Sequence, residues 1–288
     1  MISYALSVFG ILAVTLIPVY VALYVVSNLR QIPTRYIAAL GFGLTFWWFY
    51  DTMGDAASLD SNGAIYPFSA FGGLSHFSLI LTFAAGIAAL AIFDYFAVPR
   101  PLPFSGSIET QNTKSRGGSM TSYATTLILI PVGVAAVMGI HGLGEGWDFA
   151  SAAAAVPTSN IVDAFGGVNA IISYPLHKLF EGTIIACVYT AFVARSNAPK
   201  AKWHIPVLGL LLGFTSVIGA AIGYNVSFDT TYFYAFGVTA GFYAVIRLAE
   251  AVNLRFKLGE TAPTFLGWRI FLVIGIGFFL LYTAALFH

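Results

Sequence analysis

HGLGEG, residues 141–146, and HKLFEG, residues 177–182, each set a histidine four positions before a glutamate, inside stretches apolar enough to cross a membrane. Ionisable residues are costly in such stretches, so this duplication governs how the rest of the chain is read. On a helix, positions i and i+4 share a face one turn apart, so His141 with Glu145, and His177 with Glu181, can each aim at one point. If the two stretches are consecutive antiparallel helices, the pairs meet near the bilayer midplane. Two imidazoles and two carboxylates form a donor set suited to zinc, ferrous iron or manganese, and such a cation offsets the cost of burying two carboxylates. The alternative, in which each histidine merely hydrogen-bonds across the bundle and each glutamate is protonated, explains one pair better than two at matching depth. Gly146 and Gly182, which follow the glutamates, are expected to let the helices approach closely, and Pro175 to open a backbone carbonyl near the site.

Composition agrees with a membrane setting. Of 288 residues, 58% are apolar and only 9% charged, too few polar side chains to cover a soluble domain of this length. Apolar runs of spanning length are expected at about residues 4–27, 36–54, 74–97, 122–149, 164–194, 204–224, 231–253 and 265–287. The chain therefore reads as an all-α, polytopic membrane protein with eight transmembrane helices in a single domain, 1–288. The amino terminus lacks a basic n-region and stays apolar to Val26, as a retained first helix does. The single cysteine, Cys187, excludes an internal disulfide.

Ten of the thirteen Lys and Arg residues fall in the joints after the first, third, fifth and seventh runs. Basic residues stay on the cytoplasmic side, so both termini are expected on the non-cytoplasmic side. Arg247 and Arg269 lie near helix ends, and only Lys178 is left at mid-membrane. The segment at about 98–120 is rich in Pro, Gly and Ser and reads as a flexible cytoplasmic loop. The outer joints and helix ends carry aspartates, Asp51 and Asp148 among them. These either form a cation-attracting mouth or cap helices, and the two readings stand level. Residues 41–56 and 235–251 share a glycine and aromatic texture ending in an acid and Ala while running in opposite directions. Such a pair points to an inverted repeat of helices 1–3 and 6–8 around helices 4 and 5. No face for nucleic acid is visible, the lipid bilayer is one partner, and a homodimer is left open.

Lys178 has two readings. Its ammonium either lies beside the two glutamates, balancing them and disfavouring a second ion, or turns to another helix face and pairs with a different acid. A retinal Schiff base on this lysine would leave the His and Glu pairs unexplained.

At this point the chain resembles the ZIP (Zrt/Irt-like) family of divalent metal transporters. HGLGEG and HKLFEG resemble the family's helix 4 and helix 5 patterns, and AFGVTAGFYAVIRLAEA resembles its seventh helix. The resemblance implies eight helices, both termini outside, and His141, Glu145, His177 and Glu181 as the ligands of the transport site. Many members carry further polar ligands directly after the two histidines. Gly142 and Lys178 stand there instead, which implies a single metal. A helix 2 residue completes the site in some relatives, with Asp51 the candidate here.

The expected function is transport of a divalent transition metal, zinc first and iron or manganese next, toward the cytoplasm. The cation would enter through the acidic mouth, bind the four ligands, and leave past Asp94 and Glu250. Asp51, Asp148 and Lys178 are candidate pathway residues. Transport rather than catalysis is expected, since no nucleophile or acid beyond Asp148 stands next to the ligands. The alternatives are an intramembrane metalloenzyme on the same metal site, and a haem electron carrier using His141 and His177, which leaves both glutamates without a role.

Overall fold

The computed structural model describes residues 3–29, 31–56, 74–97, 127–155, 160–164, 167–194, 202–226, 228–252 and 268–285. Apolar runs with no water to satisfy their backbone must bond internally, and every regular element among these residues is helical. A helix occupies each of the eight expected places: α1 Tyr4–Ser27, α2 Thr34–Ala56, α3 Leu74–Ala97, α4 Leu129–Ala155, α5 Val168–Tyr189, α6 His204–Gly223, α7 Thr231–Ala251 and α8 Trp268–Ala285. Six of them, all but α2 and α8, are long and apolar enough to cross a membrane. The expected loop at 98–120 lies outside the described residues.

Local chemistry sets the ends. Ser3 caps α1 by accepting the Leu6 N–H at 3.3 Å, and the Asn28 side chain closes its other end by donating to the Tyr24 carbonyl at 2.7 Å. α4 starts and ends later than its expected 122–149. Pro131 fits in the first turn, where its missing N–H has no intrahelical partner anyway. The run Ser151–Ala155 prolongs the other end, because Ala is the strongest helix former. The expected 164–194 segment is divided. A single helical turn, Ile161–Ala164, is followed by Gly167 at φ 101°, which re-aims the chain before α5 begins. α5 continues through Pro175 and runs on in a π turn, Thr190–Ala194; α6 contains another, Leu210–Phe214.

α4 and α5 are the centre of the bundle. Within their apolar windows 67% and 72% of residues are buried, against 11% for α3, whose sides are left to lipid. α4 packs chiefly on α6 and α7, α5 chiefly on α1 and α2, and α8 lies along α2. The expected close approach at the two glycines is present, with different neighbours. A side chain on Gly146 would collide with the Ser216 backbone of α6, and one on Gly182 with Val19 of α1. The glycines thus seat α4 and α5 against their outer partners, while side chains of His141, Glu145, His177, Lys178 and Glu181 bridge α4 and α5. α7 is interrupted at Val238, directly after Gly237, whose bare backbone lies against His141.

Candidate metal centre

The i, i+4 spacing and the antiparallel run of α4 and α5 together bring four side chains into one group. His141, Glu145, His177 and Glu181 each offer a ligand atom, and these atoms all lie within 4.8 Å of one another. The arrangement alternates. His141 Nε2 is 3.3 Å from Glu145 Oε1 and 3.9 Å from Glu181 Oε1, while His177 Nε2 is 3.3 Å from Glu181 Oε1 and 3.8 Å from Glu145 Oε1. Each imidazole therefore faces the carboxylate of its own helix and that of the opposite helix, as antiparallel pairs must when they cross at one level. His141, His177 and Glu181 are buried; the Glu145 side chain keeps 15% exposure. Two nitrogens and two oxygens, buried and converging, have the chemistry and the spacing to hold a transition-metal ion.

Lys178 follows the first of its two readings. Its ammonium is fully buried and bridges the outer oxygens of both glutamates, at 2.7 Å from Glu181 Oε2 and in direct contact with Glu145 Oε2. Each carboxylate is thereby divided, with Oε1 toward the imidazoles and Oε2 on the ammonium. Gly142 of α4 faces the same space: a Cβ there would stand 2.8 Å from Ser216 Oγ and in ordinary contact, at 3.5 Å, with Lys178 Nζ. The Tyr174 ring lies 5.6 Å from the ammonium.

α2 reaches the group through a residue that sequence reasoning passed over. Trp48, fully buried, donates its indole N–H to Glu181 Oε1 at 3.2 Å and sets its ring edge against His141 at 5.2 Å. Tyr234 of α7 stands 5.0 Å from the same imidazole. Metal-binding histidines ordinarily donate their second N–H to an acceptor. His141 Nδ1 has no such partner among the described residues, and these two rings take over its orientation. Asp51, one turn beyond Trp48 (residues i, i+3), is half-buried and is not one of the four-residue group.

The other candidates lie toward the two ends. Asp148, exposed and one turn from Glu145, accepts hydrogen bonds from Thr230, at 2.9 and 2.8 Å, and from the Tyr234 hydroxyl. Asp94 and Glu250, expected to lie along an exit, are both engaged by Arg247 of α7. The guanidinium contacts Asp94 directly and Glu250 at 2.9 Å, and Tyr243 donates to Asp94 at 2.6 Å. Between the cluster and this end, Leu44, Met138, Ile184 and Ala240 are fully buried. His204 bonds with Tyr189 at 3.2 Å, well away from the cluster in sequence and in partners; the His76 side chain and His288 lie outside what is described.

Neither a scan against protein-family models nor a search of curated proteins returns a match for this chain.

Proposed function

We propose that this chain is a ZIP-like transporter that carries a divalent transition metal toward the cytoplasm through one site formed by His141, Glu145, His177 and Glu181. The observation that carries the reading is the alternating ring of two Nε2 and two Oε1 atoms at the centre of a membrane-type helical bundle. Such a ring would draw a hydrated cation out of water by replacing its shell with four protein donors. One divalent ion together with the Lys178 ammonium already exceeds the charge of two carboxylates, which favours a single ion per site.

The packing supports an eight-span inverted repeat. α1 lies on α5 as α6 lies on α4, and α2 pairs with α8 as α7 pairs with α3. These are the correspondences expected when helices 1–3 and 6–8 are related by a two-fold axis through the α4 and α5 pair. The interruption of α7 beside His141 is the discontinuous kind of helix from which such sites are built. Exposure on the Glu145 and Asp148 side, with a closed apolar layer toward Arg247, supports a state open to the outside and shut to the cytoplasm. Basic residues in alternate joints support that orientation. Transport then requires the layer under the cluster, and the Arg247 contacts beyond it, to part. An intramembrane hydrolase would need an open metal position beside a base. Here the flanking groups are an ammonium and an indole N–H, which favours transport.

The test is flux. Purified full-length protein in liposomes loaded with a metal-sensing dye is expected to admit zinc, and Glu145→Ala with Glu181→Ala together to abolish influx. Influx unchanged in that double variant would reject the assignment.

A further inference from the structure

We propose that Lys178 and Trp48 restrict the cluster to four donors, and so make it prefer tetrahedral ions of the zinc type over ions that take six oxygen-rich ligands. The proposal rests on the metal-site reading and concerns what the site selects.

Two histidines and two glutamates could supply six donor atoms, because a carboxylate can bind a metal through both oxygens. In this bundle they cannot. Lys178 Nζ holds the Oε2 atoms of Glu145 and Glu181, and its place is fully buried, so water does not loosen the contact. Each glutamate is left with Oε1 alone. Glu181 Oε1 also accepts the Trp48 N–H at 3.2 Å, which occupies one of its lone-pair directions and fixes the carboxylate plane. The other flank of the site is aromatic. The Trp48 edge and the Tyr234 ring bracket His141 and bring no further carboxylate or imidazole to the ring. Asp148 is held by Thr230 and Tyr234, and Ser216 Oγ lies beside Gly142, toward Lys178.

The remaining four atoms all lie within 4.8 Å of one another, close enough for a tetrahedral ion to draw them together. With bonds of about 2.0 Å, tetrahedral ligands stand about 3.3 Å apart. Two of the four His to Glu separations are 3.3 Å, the others are 3.8 and 3.9 Å, and no pair exceeds 4.8 Å, so the cluster contracts around the ion to reach that spacing. An ion demanding six ligands would have to recruit an Oε2 from the ammonium, leaving a buried cation unpaired. That cost falls on manganese-type ions and spares zinc-type ions.

Cobalt(II) alone is the probe, because four-coordinate cobalt(II) absorbs strongly in the visible and six-coordinate cobalt(II) weakly. Full-length protein in detergent is titrated with cobalt, which is then displaced by zinc or by manganese. The wild type is expected to give the strong spectrum. Lys178→Met and Trp48→Phe are each expected to weaken it and to raise manganese affinity relative to zinc by about tenfold. Zinc outranks manganese at most nitrogen and oxygen sites, so the change between wild type and variant is the readout. Trp48→Phe keeps the ring volume and carries the test if Lys178→Met does not fold. A weak, six-coordinate spectrum in the wild type overturns this proposal while leaving the metal site standing, and so do variants with unchanged spectra and unchanged preference. Cobalt that fails to bind the wild type at all overturns both.

Discussion

Lys178 and Glu181, three residues apart on α5, are joined by a 2.7 Å hydrogen bond with neither side chain exposed, and the same ammonium also holds Glu145 of α4. A buried ammonium between two carboxylates neutralises part of their charge before any metal arrives. Removing one member of such a group leaves uncompensated charge and typically costs about 3 to 5 kcal/mol. Lys178→Met is therefore expected to lower the unfolding temperature in detergent with chelator present. Zinc should raise that temperature more in the variant than in the wild type, because the divalent ion takes over the missing neutralisation. Equal zinc-induced shifts would show that Lys178 does not balance the cluster.

Gly182 lies where the α5 backbone meets α1. A Cβ there would stand 2.9 Å from Val19 Cα and 3.0 Å from Ala22 Cβ, and backbone cannot rotate away as a side chain can. Gly182→Leu is expected to destabilise the protein by about 1 to 3 kcal/mol or more through overpacking. Gly275, in α8, has nothing within 4 Å of the same added atom, so Gly275→Ala should not destabilise and should gain up to about 1 kcal/mol from the helix preference of Ala over Gly. Thermal unfolding of the pair separates close helix packing from a general intolerance of glycine replacement.

The convergence of His141, Glu145, His177 and Glu181 is legible in the sequence because their spacing is local. The i, i+4 rule places each pair on one face, and repetition in consecutive helices predicts convergence. What was not legible depends on how helices are turned against each other. In the run Phe46-Trp47-Trp48-Phe49, all four residues are aromatic and periodicity marks none of them. Only the structure distinguishes Trp47, which packs on Phe278 and Tyr282 of α8, from Trp48, one residue and about 100° on, which enters the site. The sequence leaves both orientations of Lys178 open for the same reason. Adjacent to His177, it is rotated off the histidine face, and its reach to both Oε2 atoms needs its long stem and the packing that brings Glu145 of α4 beside Glu181. Arg247 reads from the sequence as a residue near a helix end, and its pairing with Asp94 comes only from the contact of α3 with α7.

Arg247 ties α7 to α3 at the end of the bundle away from Asp148, and Leu248, its neighbour, packs over the Gly41 and Cys187 contact. Cys187 is the only cysteine in the chain and is fully buried. Its thiol therefore reports closure of this half without any engineered label site. Arg247→Met breaks the contacts to Asp94 and Glu250 and is expected to speed maleimide labelling of Cys187 by at least about tenfold, through more frequent local opening. Labelling as slow as in the wild type would mean that the apolar layer alone keeps this end shut.

Protons and metal compete for the same atoms of the cluster. A metal ion needs Nε2 of His141 and His177 and Oε1 of Glu145 and Glu181 free of protons, so binding releases whatever protons those atoms hold at the working pH. The sign follows: zinc affinity falls as pH falls. Where both imidazoles carry a proton in the metal-free protein, two protons leave for each ion bound, and affinity drops by about a hundredfold per pH unit. His177→Ala removes one competing proton along with one donor. The variant is expected to bind zinc more weakly throughout and to lose only about tenfold per unit over the same acid range. Zinc titrations monitored calorimetrically at several pH values, in buffers of different ionisation heat, measure the protons released directly. A wild-type affinity independent of pH would mean that the histidines are not ligands. A slope unchanged by His177→Ala would mean that its imidazole stands outside the coordination sphere despite lying 3.3 Å from Glu181.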